Sequence, residues 1–101
     1  MFINIEMQYR IYYPYPATDK THKYFIITSS GKKIRFGAKG YEDYTTHGDD
    51  IRKQNYIARH QKREDWTKSG LDTKGWWSRW LLWNKPSIQE SYEDIKQRFL
   101  M

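Results

Sequence analysis

An α+β fold is predicted by three observations. The stretch KYFIITSSGKKIRFG (residues 23–37) alternates apolar and polar residues around a small-residue turn, which is the pattern of a half-buried hairpin. Asp49 and Asp50 stand where a helix cap belongs, ahead of a run dense in Arg and Lys. Near the C-terminus, Ile88, Tyr92, Ile95 and Phe99 recur at helical spacing behind a capping sequence. The expected order is an N-terminal extended arm or strand, a β-hairpin, then a basic helix and two C-terminal helices. Residues 1–22 read as the arm and residues 23–101 as a single small α+β domain.

Each element follows from local chemistry. Residues 2–13 (FINIEMQYRIYY) alternate loosely and are rich in Ile, Phe and Tyr, as in a strand or an extended arm. Pro14 and Pro16 should end it, because proline cannot donate to a sheet ladder, and residues 14–22 read as a loop. A two-residue turn at Ser30–Gly31 would pair Ile27 with Ile34 and Phe25 with Phe36 on the apolar face. Thr28 with Lys33 and Ile26 with Arg35 would then fill the other face. Gly37 and Gly40 bracket a turn where positive φ is expected. The stretch lacks the GK[ST] ending of a phosphate-binding loop.

The basic helix should run from about Asp49 through IRKQNYIARHQKRED and fade near Trp66, with Ile51, Ile57 and Ala58 as a narrow apolar stripe. Thr73 caps a short helix beginning at Lys74. Trp76, Trp80 and Trp83 then share one face, and Trp77 and Leu81 an adjacent one, before Asn84 and Pro86 end it. In the last helix Ser87 and Glu90 form the capping box. Its apolar face needs a mate, and the tryptophan helix is the nearest one. The Trp76 face is therefore expected to be mostly core, with Trp77 or Arg79 left to contact a partner.

Composition narrows the function classes. Aromatic residues make up 18% of the 101 residues, and mean hydropathy is −1.04, so a modest core and an adhesive surface are expected. The formal charge of +6 favours anionic partners. With no cysteine, disulfides, thiol catalysis and thiolate metal sites are excluded. No stretch approaches the roughly 18 apolar residues of a bilayer span, and the first residues lack the features of a secretory leader.

Two clusters are candidates for an anionic or nucleic-acid contact: Lys32, Lys33 and Arg35 on the hairpin, and Arg52, Lys53, Arg59, Lys62 and Arg63 on the helix. Trp66, Trp76, Trp77, Trp80 and Trp83 are the candidate interface or core aromatics. A hairpin followed by a helix is also the layout of ββα-metal nucleases. In that reading His47, Asn55 and His60, with Asp49 and Glu64, would have to converge on one ion. No recognised ligand spacing supports it, and Ser69, Ser78 and Ser87 lack a nucleophile context. No catalytic residue, metal or cofactor is expected.

The stretch from Phe36 to Phe99 resembles a family of small, uncharacterised proteins from large DNA viruses of algae and protists. Their pattern is FGxxGYxDxTxHxDxxRKxxYxARHxxREDWxKSGxxTxGxWSRWLLWxKPxxxxSxxDIxxRF. Phe36, Gly37, Gly40, Tyr41, Arg59, His60, Trp66, Gly70, Gly75, Trp77, Arg79, Trp80, Trp83 and Pro86 fall on it. The resemblance covers roughly residues 23–99 and leaves the first 22 outside. It implies a viral origin and a place in replication, packaging or the particle, with no activity to carry over. The expectation is a virion-associated structural protein, a minor capsid or capsid-stabilising component that contacts other virion proteins. The alternative is a sequence-nonspecific DNA-binding protein of the viral core.

Overall fold

The computed structural model describes residues 9–101, so the part of the expected arm at residues 2–8 lies outside the described residues. A three-stranded antiparallel sheet precedes a series of helices, which is the expected α+β arrangement. The chain divides into two compact units, residues 1–39 and 40–101. The division falls after Lys39 instead of after residue 22, because residues of the expected arm belong to the sheet.

In the β unit, β1 (Tyr15–Pro16), β2 (His22–Ile27) and β3 (Lys33–Ala38) lie in that order. The loop expected over residues 14–22 instead contains β1, with Pro16 as its last residue. Pro16 pairs with Tyr24 on an edge strand, where its missing N–H costs nothing. The segment before it folds back as well. Tyr12 N–H donates to the Ile27 carbonyl at 2.8 Å, and the Tyr9 and Tyr15 rings pack on Phe25 with centroids 5.4 and 5.6 Å away.

The hairpin register differs by one residue from the expected one. Ile26 pairs with Ile34, Tyr24 with Phe36, Phe25 with Arg35 and Ile27 with Lys33. The cause is the turn. Thr28 N–H donates to the Lys32 carbonyl at 2.8 Å, closing a three-residue loop, Ser29–Gly31. Gly31 sits at φ 87° after a bond from its own N–H to the Thr28 carbonyl, the geometry of a tight turn finished by a left-handed residue. Thr28 Oγ1 also accepts from Lys32 N–H at 3.1 Å. In consequence β2 is buried on both faces: Ile26 lies on the side of Ile34 and Phe36, while Phe25 and Ile27 lie on the opposite side, beneath the N-terminal tyrosines.

The helical unit opens with a short helix ahead of the one expected from Asp49, α1 (Tyr44–His47). A reciprocal capping box holds its start: Asp43 accepts from Thr45 N–H, and Asp43 N–H donates to Thr46 Oγ1. Next, α2 (Asp50–His60) is capped by the Asp49 carboxylate, which accepts from Ile51 and Arg52 N–H. It ends at His60, short of the expected Trp66. The expected stripe is also displaced. Ile51 is 74% exposed, and Tyr56 is the buried residue, flanked inward by Lys53, Ile57 and His60. These lie at i, i+3, i+4 and i+7, so the inner face is partly polar.

After a 3₁₀ turn (Lys68–Gly70), α3 (Lys74–Trp77) starts on its Thr73 cap as expected, then widens into a π turn over Ser78–Leu82. Trp83 N–H donates to the Ser78 carbonyl, five residues back. The wider turn changes which side chains share a face: Trp76 aligns with Leu81, and Trp77 with Leu82. All four are buried, and Trp76 and Trp77 are both 0% exposed. The expectation that Trp77 is left for a partner is overturned. Trp80 and Trp83, assigned to the core by a 3.6-residue period, are only half-buried.

Finally α4 (Ile88–Ile95) runs into a second π turn, Lys96–Leu100. Ser87 Oγ accepts from Glu90 N–H at 3.1 Å. Phe99 packs against Trp76 and Trp80 with centroids 4.9 and 5.3 Å away, so the tryptophan helix is the mate of the last helix. Ile95 and Ser91 are fully buried, and Ser91 Oγ accepts from Lys85 N–H.

Candidate anion-binding surfaces

The two units carry very different charge. Seven Lys and Arg against two Asp and Glu give residues 1–39 a formal charge of +5. Eleven against ten leave residues 40–101 at +1.

In the β unit one carboxylate organises the cations. Asp19 Oδ1 accepts from Thr21 and His22 N–H at 3.0 and 2.7 Å, while Oδ2 lies 3.1 Å from His22 Nδ1 and 3.3 Å from Arg35 Nε. Lys39 Nζ donates to the Asp19 backbone carbonyl. The His22 N–H bond, followed by the Thr21 bond and the His22 ring, holds the Asp19 carboxyl well below the usual carboxylate range. Lys33 Nζ lies 4.2 Å over the Phe25 ring, and Lys32 extends from the turn, exposed. Of the hairpin candidates, then, Arg35 is anchored, while Lys32 and Lys33 remain outward on an exposed strand edge.

On α2 the five candidates separate. Arg52 pairs with Glu42 at 3.2 Å. Lys53 points inward, its Nζ donating to the Asn84 carbonyl at 2.6 Å and lying 4.8 Å over the Tyr44 ring. Arg59, Lys62 and Arg63 are exposed and form no ion pair among the described residues.

Inside the helical unit the aromatic candidates build a stack and a clamp. Tyr56 lies parallel to Trp83 (4.5 Å, 2°) and against His60 (4.5 Å), with Trp66 6.2 Å away. Burial and the nearby Glu64 carboxylate push the Tyr56 phenol far above its ordinary value. Glu64 reaches His60 Nδ1 at 3.3 Å and leans against Gly75, where an added Cβ would come within 1.6 Å of its Oε1.

The indole N–H groups hold an irregular loop from above. Trp76 donates to the Thr67 carbonyl, Trp77 to Leu71 and Trp80 to Trp66, at 2.8, 2.8 and 2.9 Å. The Trp66 and Leu71 carbonyls are thus paired by the tryptophan helix, and the Thr67 carbonyl, which also accepts from Gly70 N–H, gains a second donor. Trp76 and Trp77 are core, whereas Trp66, Trp80 and Trp83 are half-buried and packed on Tyr56, Arg79 or Phe99.

Sequence reasoning expected Arg79 at a partner contact and did not single out Arg98 or Asp94. Arg79 stacks on Trp80 (4.3 Å) and Trp66 (5.4 Å) and donates to the Trp83 carbonyl at 2.8 Å. Arg98 also lies on Trp80 (4.9 Å) and pairs with Asp94. Asp94 in turn accepts from Asn84 Nδ2 at 2.8 Å. The Asp94–Arg98 pair has the i, i+4 spacing that signals it in a sequence. The stacking on Trp80 has no such signal.

The residues of the nuclease reading do not converge. His47 Nδ1 accepts from Asp49 N–H, and His60 pairs with Glu64. Among the described residues no group of three or more His, Asp or Glu side chains is placed to hold a metal ion. No helix among them is long and apolar enough to cross a membrane.

Residues 15–60 match a family of unknown function (DUF5754), a stretch that takes in the whole sheet and the first two helices. No curated protein and no solved structure matches the chain.

Proposed function

We propose that this chain is a non-catalytic, virion-associated structural protein of a large DNA virus, a minor capsid or capsid-stabilising component that works by contact with an anionic partner. The observation that supports this reading most is the partition of side chains. Three of the five indole N–H groups, those of Trp76, Trp77 and Trp80, are committed to internal hydrogen bonds, while a formal charge of +5 is gathered in residues 1–39, with Lys32 and Lys33 exposed. A contact of this kind is electrostatic and uses the β unit. The test is mass spectrometry of purified particles: the protein is expected at stoichiometric abundance, and its absence from particles despite abundance in infected cells would overturn the proposal.

The same charge density favours a second reading, sequence-nonspecific DNA binding in the viral core. Seven cations in 39 residues suit phosphate contacts, and the Tyr-rich surface around them suits stacking. That reading requires affinity that falls steeply with salt. A duplex that gives no shift even at low salt excludes it.

A further inference from the structure

The helical unit is nearly neutral overall, yet it gathers four cations in one place. Lys53 and Lys85 lie at Asn84, Arg79 and Arg98 lie on Trp80, and Asp94 links Asn84 to Arg98. Lys53 Nζ holds the Asn84 carbonyl, Lys85 follows Asn84 in the chain, and the Arg79 and Arg98 guanidinium groups both rest on the Trp80 ring. Only Arg98 has a carboxylate partner among the described residues, Asp94, and that carboxylate is shared with Asn84. Asp50 also acts on Lys53 but is bound to the Tyr44 hydroxyl, and Asp94 also acts on Arg79, so that one carboxylate serves both arginines.

Two independent features show that the cluster is undercompensated. Arg79 Nε is buried without a hydrogen-bond partner, although the guanidinium carries its full set of donors. Lys53 is lowered from the ordinary lysine value, first by burial and then by repulsion from Arg79, Lys85 and Arg98. A fold gains nothing from holding like charges together, whereas a bound oxyanion relieves the repulsion and satisfies forked donors at once.

We propose that Lys53, Arg79, Lys85 and Arg98 form a binding site for a phosphate-type oxyanion, distinct from the exposed cations of the β unit. The two arginines, braced on Trp80, present planar donors, and the two lysines supply the remaining charge. Asp94 is the internal competitor that holds Arg98 until the anion arrives.

The test uses full-length protein and inorganic pyrophosphate, followed by calorimetry at low salt. Arg79 is avoided, because it also secures the Trp83 carbonyl. The double variant Lys85→Ala/Arg98→Ala removes two half-exposed or exposed groups and should weaken binding by at least about tenfold. The triple variant Arg59→Ala/Lys62→Ala/Arg63→Ala has the same or greater charge loss and should leave it within about twofold. Asp94→Asn should tighten binding, which a purely structural role for Asp94 would not produce. Competition by a short DNA duplex assigns the anion to a nucleic-acid backbone, and persistence of binding in its presence assigns it to free phosphates. No binding by the unaltered protein, equal losses in the double and triple variants, or unchanged affinity in Asp94→Asn would each overturn the site.

Discussion

In the β unit, seven cations share one carboxylate among the described residues, Asp19, and that carboxylate sits at the centre of a turn whose backbone it also holds. In the helical unit, eleven cations face ten acids, and the tryptophans, not the charges, hold the chain together. The first unit is small, stabilised by apolar strand residues covered with tyrosines, and strongly charged outside. The second has a dense indole core that pins a loop with little regular structure. The difference teaches that tryptophan and net positive charge are separated here, although five of the seven arginines lie in the tryptophan-bearing unit and two of them rest on Trp80. Trp76 and Trp77 are internal and the other three indoles half-buried, and most of the net charge lies where there is no tryptophan.

Several substitutions sharpen that contrast. The largest effect is expected in the indole core. Trp76→Ala or Trp77→Ala should cost about 3–5 kcal/mol in chemical denaturation, enough to unfold a domain of this size. Trp80→Ala, at a half-buried position, should cost clearly less. Equal losses at Trp77 and Trp80 would mean that the π turn does not set the core face.

Gly75→Ala comes next. Its Cβ would meet Glu64 Oε1 at 1.6 Å, so Glu64 must leave His60. The clash is with the far end of a flexible side chain, so a cost of about 1 kcal/mol is expected. The loss should be smaller in a Glu64→Ala background, where nothing has to move. A double-mutant cycle measures this coupling.

Two smaller effects are pH-dependent and have opposite signs. Tyr56 has a phenol raised above its ordinary value of 10.0. Above that pH the unfolded chain loses the proton while the folded chain keeps it, so stability present below pH 10.0 falls as pH rises further. A Tyr56→Phe variant should lose less stability over the alkaline limb of the denaturation profile. Asp19 has a carboxyl lowered from 3.8, so its contribution is present above that pH and fades as pH falls below it. Asp19→Asn should lower the melting temperature at neutral pH and converge with the unaltered protein in acid.

The sequence made some of this legible and hid the rest for physical reasons. The caps at Asp49, Thr73 and Ser87 were readable because a capping side chain bonds within three residues of itself. The pairing of the last two helices was readable from their apolar faces. The hairpin register was not, because Ser-Ser-Gly serves a two-residue or a three-residue loop, and one residue of difference exchanges the faces of the strand. The tryptophan face was misplaced because periodicity assumes 3.6 residues per turn, and the π turn at Ser78–Leu82 breaks that assumption. The role of Asp19 was invisible, since its partners Arg35 and Lys39 lie 16 and 20 residues away. Of the candidate cations, Lys53 was recognised as basic, but not as turned inward.

The most direct test of the central claim, that contact with an extended anionic partner is made by the exposed cations of the hairpin and not by those of α2, is the salt dependence of duplex binding in paired variants. Lys32→Ala/Lys33→Ala should reduce the slope of log affinity against log salt by about 2, one phosphate contact for each lysine. Arg59→Ala/Lys62→Ala/Arg63→Ala should leave the slope close to that of the unaltered protein. The reverse result, a slope unchanged by the hairpin variant and flattened by the α2 variant, would contradict the account.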